Sequence, residues 1–205
     1  MDMTQASCRE FLDRLASSDP TPGGGGAAAM LGAAGAALGQ MVCSLTIGKK
    51  KYASVEAEIC EIREELETLR QRLLALVEED ARAFAPLAAA YSIPKEDPDR
   101  AQRLEEATLV AVRPPMDIMT CCCRVMELVE ILAEKGSRLA VSDAGCAAAF
   151  CRAALESASL NVFINTKSLL DRKTADALNG QAQTMLDTFC PRGDAVFGAV
   201  RKSFG

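Results

Sequence analysis

Histidine is absent from the chain. That absence excludes a Ser-His-Asp triad, a Cys-His dyad and any His-ligated zinc. Acid–base chemistry would fall to Asp, Glu, Lys, Tyr or Cys. Tryptophan is absent too, and aromatics make up only 4% of the 205 residues. Ala, Leu and Val must therefore fill the core, and side chains that small suit close helix packing better than a β-sandwich. An excess of positive charge is also lacking: 23 basic residues face 28 acidic ones, for a net charge of −5. Such a chain is a poor general binder of nucleic acid, whose affinity comes mainly from neutralising phosphates. The length suffices for one sizeable core and is short for two, so 1–205 reads as a single domain.

No C-x-x-C is present among the nine cysteines. Cys121, Cys122 and Cys123 are consecutive and would point in three directions from a helix, so they cannot chelate one ion. Cys146 and Cys151 sit in an Ala-rich apolar run, where Cys behaves as a small buried hydrophobe. An odd cysteine count without a signal peptide fits a reducing cytosol, so the expected location is cytoplasmic and no metal is expected. The charge-free segment from Thr21 to Gly48, followed by Lys49, Lys50 and Lys51, has the length and basic flank of a membrane span. Its first half is Gly and Ala, which contribute little to insertion. It reads better as the buried central helix of a soluble bundle.

The periodicity of the apolar residues is helical throughout. A first helix covers roughly Thr4 to Leu15, and Ser17 to Gly26 is a loop. Thr21-Pro22 supplies an N-cap and a first helical proline for the central helix, which runs to about Ile47 and stops at Gly48. A long helix spans roughly Ser54 to Tyr91, and Asp97-Pro98 starts the next. Pro114-Pro115 breaks or kinks that one, and it resumes to Gly136. Ser142 caps a second charge-poor helix to about Leu170, and Asp171 caps the last, with a break expected at Pro191-Arg192-Gly193. The fold class is an all-α bundle of about six to eight helices around a Gly/Ala-rich central one.

Four groups of residues depart from this pattern. The apolar seam of the long helix steps through Leu69, Leu73, Leu76, then Asp80, then Ala83 and Leu87. Asp80 thus occupies a core position, where a carboxylate must be paired or must carry a raised pKa suited to acid–base work near neutrality. An ion pair with Arg82, or with a basic residue on another helix, is the structural reading. Asn161 and Asn165 share a helix face among Leu160, Val162, Phe163 and Ile164, and their amides serve either a ligand's edges or interhelix bonds. The run Gly23, Gly24, Gly25 and Gly26 offers free N–H groups at a helix start, or simply a tight turn. Lys49, Lys50 and Lys51 are either a solvated helix end or a site for a substrate carboxylate.

Five motifs occur in one order across nearly the whole chain: Thr21-Pro-Gly-Gly-Gly-Gly26, Gly48-Lys-Lys-Lys-Tyr52, Asp80-Ala-Arg-Ala-Phe84, Ser142-Asp143 and Asn161-Val-Phe-Ile-Asn165. No one of them is specific; the ordered set resembles the cyclodeaminase/cyclohydrolase family. The resemblance implies an all-α, dimeric enzyme acting on tetrahydrofolate one-carbon units, with no metal and no cofactor beyond the tetrahydrofolate substrate. It places the catalytic role on Asp80 and substrate binding on Gly23, Gly24, Gly25, Lys49, Lys50, Ser142, Asp143, Asn161 and Asn165. The implied reaction is closure of 5-formimidoyltetrahydrofolate to 5,10-methenyltetrahydrofolate with release of ammonia, its nearest rival the methenyltetrahydrofolate cyclohydrolase reaction. The implied partners are folate, a second copy of the chain and a formimidoyltransferase, with no nucleic acid or membrane. Two positions depart from the family pattern: Gly26 stands where Ser is usual, and Ser137 follows Gly136 where Asn is usual. These losses leave open an altered substrate choice, or a non-catalytic folate-binding or scaffold paralogue.

Overall fold

The computed structural model describes residues 3–205. Among them are seven α-helices and no strand: α1 (Cys8–Leu15), α2 (Gly24–Ser44), α3 (Glu56–Tyr91), α4 (Arg100–Ala111), α5 (Arg113–Lys135), α6 (Val141–Lys167) and α7 (Arg172–Lys202). The all-α bundle expected from periodicity is the one observed. Short 3-10 turns lie at Met3–Gln5, Lys50–Tyr52 and Arg138–Ala140.

The Gly/Ala helix α2 is the hub, packed against α6, α3 and α5. Its glycines let neighbouring side chains reach its backbone. A Cβ on Gly35 would lie 2.6 Å from Cys151 Sγ, and one on Gly39 would lie 2.9 Å from Leu66 Cδ1. The α3 seam is buried as its spacing dictates, through Ile59, Ile62, Leu66, Leu73, Leu76, Ala83 and Leu87, with Leu69 partly buried. Cys122 and Cys151 are core hydrophobes, and burial pushes their thiols up, that of Cys151 to about 12. A second small core at the far end of α3 joins Leu87 and Ala90 to Ala107 and Ala111 of α4.

Several helix ends differ from expectation. α1 begins later than Thr4: Ser7 and Glu10 form a capping box that starts it at Cys8. α2 begins at Gly24 with Gly23 as N-cap; Thr21 does not cap it, and buried Pro22 packs on Gly26 instead of occupying the first turn. Pro114 and Pro115 do not kink a helix. They open α5, in positions whose N–H groups need no intrahelical acceptor, while α4 has already ended at Ala111. α7 runs unbroken through Pro191, and Asp171 caps it by accepting from Thr174 N at 3.2 Å. Ser142 does not cap α6; Ala140 is its N-cap, and Ser142 lies inside the first turn.

Two helical segments, Gly24–Ser44 and Arg138–Lys167, are long and apolar enough to cross a membrane, with mean hydropathies of 1.4 and 1.2. In the fold they are the antiparallel pair at the bundle's centre: Gly24 meets Asn161, and eleven residues on, Gly35 meets Cys151.

Candidate active site

The first turn of α2 is built from Gly24, Gly25 and Gly26, whose N–H groups have no acceptor inside the helix, because the first intrahelical bond is Ala27 N to Gly23 O. Asp80 projects from α3 onto this turn. Its carboxylate takes the Gly26 N–H and lies over Gly25, where even a Cβ would come within 2.6 Å of Asp80 Cγ and Oδ2. The close approach explains why glycine stands there.

Asp80 forms no ion pair among the described residues. Arg82, the candidate partner by sequence, turns back to Glu78 O at 3.3 Å. Burial therefore acts largely unopposed and raises the Asp80 carboxyl to about 6, with only the Gly26 N–H working in the other direction. A group with that pKa exchanges protons readily near neutral pH, which is what a general acid or base requires.

Both asparagines reach the same place. Asn161 Nδ2 donates to Ser157 O at 2.9 Å within α6, and Asn165 Nδ2 donates across to Ala111 O of α4 at 3.1 Å. Each amide thus spends a donor on backbone, and among the described residues none donates to its carbonyl oxygen. Asn161 also touches the turn, 3.5 Å from where a Gly24 Cβ would be. Gly23, Gly24, Gly25, Asp80, Asn161 and Asn165 together line a cavity of about 150 Å³.

The cavity wall also includes Pro20, Thr21, Phe84, Ala111 and Ile164, which the sequence pattern had not assigned to the site. Phe84 and Ile164 carried a signal: each is one helical turn from an assigned residue, Asp80 and Asn161 respectively. Ala111 carried none, because it enters through its carbonyl. Larger hollows exist, about 710 Å³ between α6 and α7 and about 550 Å³ beneath α1. Neither brings a carboxylate onto unpaired backbone donors.

The remaining four assigned residues are not in this cavity. Lys49 and Lys50 lie beyond the C-terminal end of α2, and Ser142 and Asp143 lie in the first turn of α6. α2 and α6 are antiparallel, so these two ends coincide: Tyr52 Oη accepts from Arg138 N at 3.0 Å, and Thr46 Oγ1 accepts from Ser137 N at 2.8 Å. The cluster sits about 28 Å along the helices from Gly25 and Asn161, at 1.5 Å per residue. Ser137, one of the two departures from the family pattern, is buried at this far end; Gly26, the other, is part of the Asp80 turn. Among the described residues no group of three His, Cys, Asp or Glu side chains is placed to hold a metal ion.

A carboxyl poised near neutrality, free backbone donors at a helix start and two amide oxygens can move a proton and steady a developing negative charge on a small polar group. Comparison with known proteins points to one family. The family model described as formiminotransferase-cyclodeaminase matches residues 7–184. The chain is 49% identical over 195 residues to a methenyltetrahydrofolate cyclohydrolase of Methylorubrum extorquens, covering 93% of this chain and 94% of that one. It is 27% identical over 202 residues to the formimidoyltransferase-cyclodeaminase of Rattus norvegicus, of which it spans 37%. The crystal structure of a formiminotetrahydrofolate cyclodeaminase from Thermotoga maritima superposes with a TM-score of 0.84 and 31% identity, over 96% of this chain and 98% of that one.

Proposed function

The chain belongs to the formiminotransferase-cyclodeaminase family, and from that premise we propose that it is a folate one-carbon enzyme acting at the carbon bridging N5 and N10 of tetrahydrofolate. The observation that carries this reading is the Asp80 carboxyl, raised to about 6 and laid across the Gly25–Gly26 turn. In the hydrolytic reaction, water adds to the bridging carbon of 5,10-methenyltetrahydrofolate and gives a proton to Asp80. Asp80 then protonates N5 as the C–N5 bond breaks. The product is 10-formyltetrahydrofolate, and the hydroxyl proton leaves to solvent. In the deaminating reaction, the formimidoyl group enters protonated, as an amidinium; N10 adds to its carbon and Asp80 takes the N10 proton. The same proton goes to the departing amino group, and ammonia leaves.

The two reactions pass through tetrahedral intermediates that differ only in a hydroxyl or an amino substituent, so one carboxyl serves either. The 49% identity to a cyclohydrolase over nearly the full length of both chains favours hydrolysis. Ring closure with loss of ammonia, the first expectation from sequence, is favoured by the family description and by the name of the solved relative. In the bifunctional relatives a formimidoyltransferase name is joined to the cyclodeaminase; for a deaminating role here, a separate transferase would supply the substrate. Purified protein offered each folate in turn, with methenyltetrahydrofolate absorbance and ammonia followed together, decides between the two. Turnover of neither substrate would leave a non-catalytic scaffold and overturn the proposal.

The working unit in this reading is a homodimer. Met41 on α2 and Phe150, Leu160 and Ile164 on α6 are exposed apolar side chains, and a second copy of the chain is the natural cover for them.

A further inference from the structure

Thr21 is the only residue lining the Asp80 cavity that carries a hydroxyl. The sequence pattern gives that hydroxyl the task of capping α2, but Gly23 is the N-cap and Thr21 stays outside the helix. Among the described residues the Thr21 hydroxyl makes no hydrogen bond. A hydroxyl without a protein partner bonds to water or to a ligand. The place of the residue is nonetheless fixed. Pro20 and Pro22 flank it, each with its φ locked by the ring. Both abut the glycine turn: Pro20 O would lie 3.7 Å from a Cβ on Gly23, and Pro22 Cβ would lie 3.3 Å from one on Gly26. Thr21 is thus held against the same turn that receives Asp80.

Taken as a folate one-carbon site, the reading on which the inference rests, the cavity has a proton to dispose of in only one of the two reactions. Ring closure conserves protons within the site: N10 gives one to Asp80, and Asp80 gives it to the departing amino group. Hydrolysis does not. A cationic methenyl group and water become a neutral formyl group, so one proton must leave. As the C–N5 bond of the tetrahedral intermediate breaks, Asp80 is giving its proton to N5 and cannot accept the hydroxyl proton in that same step. The amide oxygens of Asn161 and Asn165 can accept a hydrogen bond, but they have no proton to pass on. The N–H groups of the turn only donate. A threonine hydroxyl both accepts and donates at one oxygen.

We propose that Thr21 is a further catalytic residue, specific to hydrolysis: its oxygen accepts the hydroxyl proton of the tetrahedral intermediate while its own proton passes to water. The carbon–oxygen bond becomes the formyl carbonyl. The electron pair of the breaking C–N5 bond stays on N5, which takes the Asp80 proton, and the threonine ends neutral. Thr21 is only partly buried, which keeps its hydroxyl within reach of the water that receives the proton. Ring closure sends no proton out of the site, so it does not need this hydroxyl. The residue therefore separates the two reactions, whereas Asp80 serves both.

Thr21→Val tests this in the full-length protein, because valine keeps the β-branched shape and removes only the hydroxyl. With 5,10-methenyltetrahydrofolate, kcat should fall by a factor on the order of 10² while KM changes little. Thr21→Ser, which keeps the hydroxyl, should recover most of the loss. With 5-formimidoyltetrahydrofolate, ammonia release by the valine variant should stay close to that of the wild type. Both variants should melt with the wild type, since no protein hydrogen bond is lost. Hydrolysis at the wild-type rate in Thr21→Val overturns the inference and leaves the residue a β-branched spacer between two prolines. An equal fall in both reactions overturns it too, as does a serine variant that melts normally and stays as slow as the valine one. A wild type that releases ammonia and does not hydrolyse removes the role of Thr21 while leaving the folate one-carbon reading in place. A wild type inactive on both folates removes that reading itself.

Discussion

Asp80 rests against the bare Cα of Gly25: a Cβ at that position would lie 2.6 Å from both Asp80 Cγ and Oδ2, nearer than real side chains approach. A carboxylate from one helix and the first turn of another are thus fitted with no room for a methyl group between them. Gly25→Ala should separate fold from function. Within a helix the alanine gains about 1 kcal/mol of propensity, and the clash falls on a side chain that can swing away. The melting temperature should change little, while turnover falls at least tenfold because Asp80 is displaced. A variant that keeps wild-type turnover would show that the contact does not matter.

Asp80→Asn preserves size and removes proton exchange. Turnover should fall by a factor on the order of 10² to 10⁴. No buried cation is left unpaired, since Asp80 has no ionic partner among the described residues, so folding should survive. A large drop in melting temperature, with normal specific activity in the folded fraction, would remove Asp80 from the chemistry.

The same variant has a signature in pH. Asp80 binds its proton more tightly in the folded chain, at about 6, than at the ordinary 3.8. Ionising it therefore opposes folding, and its cost grows as pH climbs from about 4 through 6 and is complete above. Relative to wild type, Asp80→Asn should be level below pH 4 and more stable by up to about 3 kcal/mol above pH 7. Other carboxylates, such as Glu67 with its pKa lowered to about 2 by Arg70, Gln40 and Gln71, are common to both proteins and cancel. Parallel melting curves across the range would contradict the raised value.

The two asparagines should part company. Among the described residues Asn161 bonds within its own helix, to Ser157 O, so Asn161→Ala should weaken substrate binding, read as a higher KM, with little change in melting. Asn165 ties α6 to the Ala111 carbonyl of α4, and Asn165→Ala should cost about 1 kcal/mol as well. Equal melting temperatures for the two variants would mean that the bond to α4 contributes nothing.

Lys49→Ala with Lys50→Ala should weaken binding of polyglutamylated folate more than of the monoglutamate, measured by titration. An equal effect on both ligands would return these lysines to a solvated helix end.

Much of this was legible in the chain. The three-and-four stepping of α3 located Asp80 as a carboxylate in an apolar seam without any structure, because the period of a packed helix leaves no other place for it. Helix ends were read less well. Thr21-Pro22 and Pro114-Pro115 are real punctuation, but a proline at a helix start and a proline breaking a helix look alike locally; which occurs depends on where the preceding helix has stopped. Not legible was that, within one chain, the residues to which the resemblance assigns substrate binding lie at two ends of the bundle. Position along the chain does not reveal that an antiparallel pair of helices sends Gly25 and Asn161 to one end and Lys49 and Ser142 to the other.

The glycine content of α2 also bears on the order in which the molecule assembles. Six of its 21 residues are glycine, each less favourable than alanine by about 1 kcal/mol in a helix interior, so the segment has little tendency to coil in isolation. α3 and α5, richer in good helix formers and linked by pairs such as Arg124–Glu65 and Lys135–Glu58, can form a scaffold first. α2 then winds only as its backbone is pressed against side chains already in place. On that order of assembly, the turn that receives Asp80 would be among the last pieces of structure to appear, and a partly folded chain would carry no formed site.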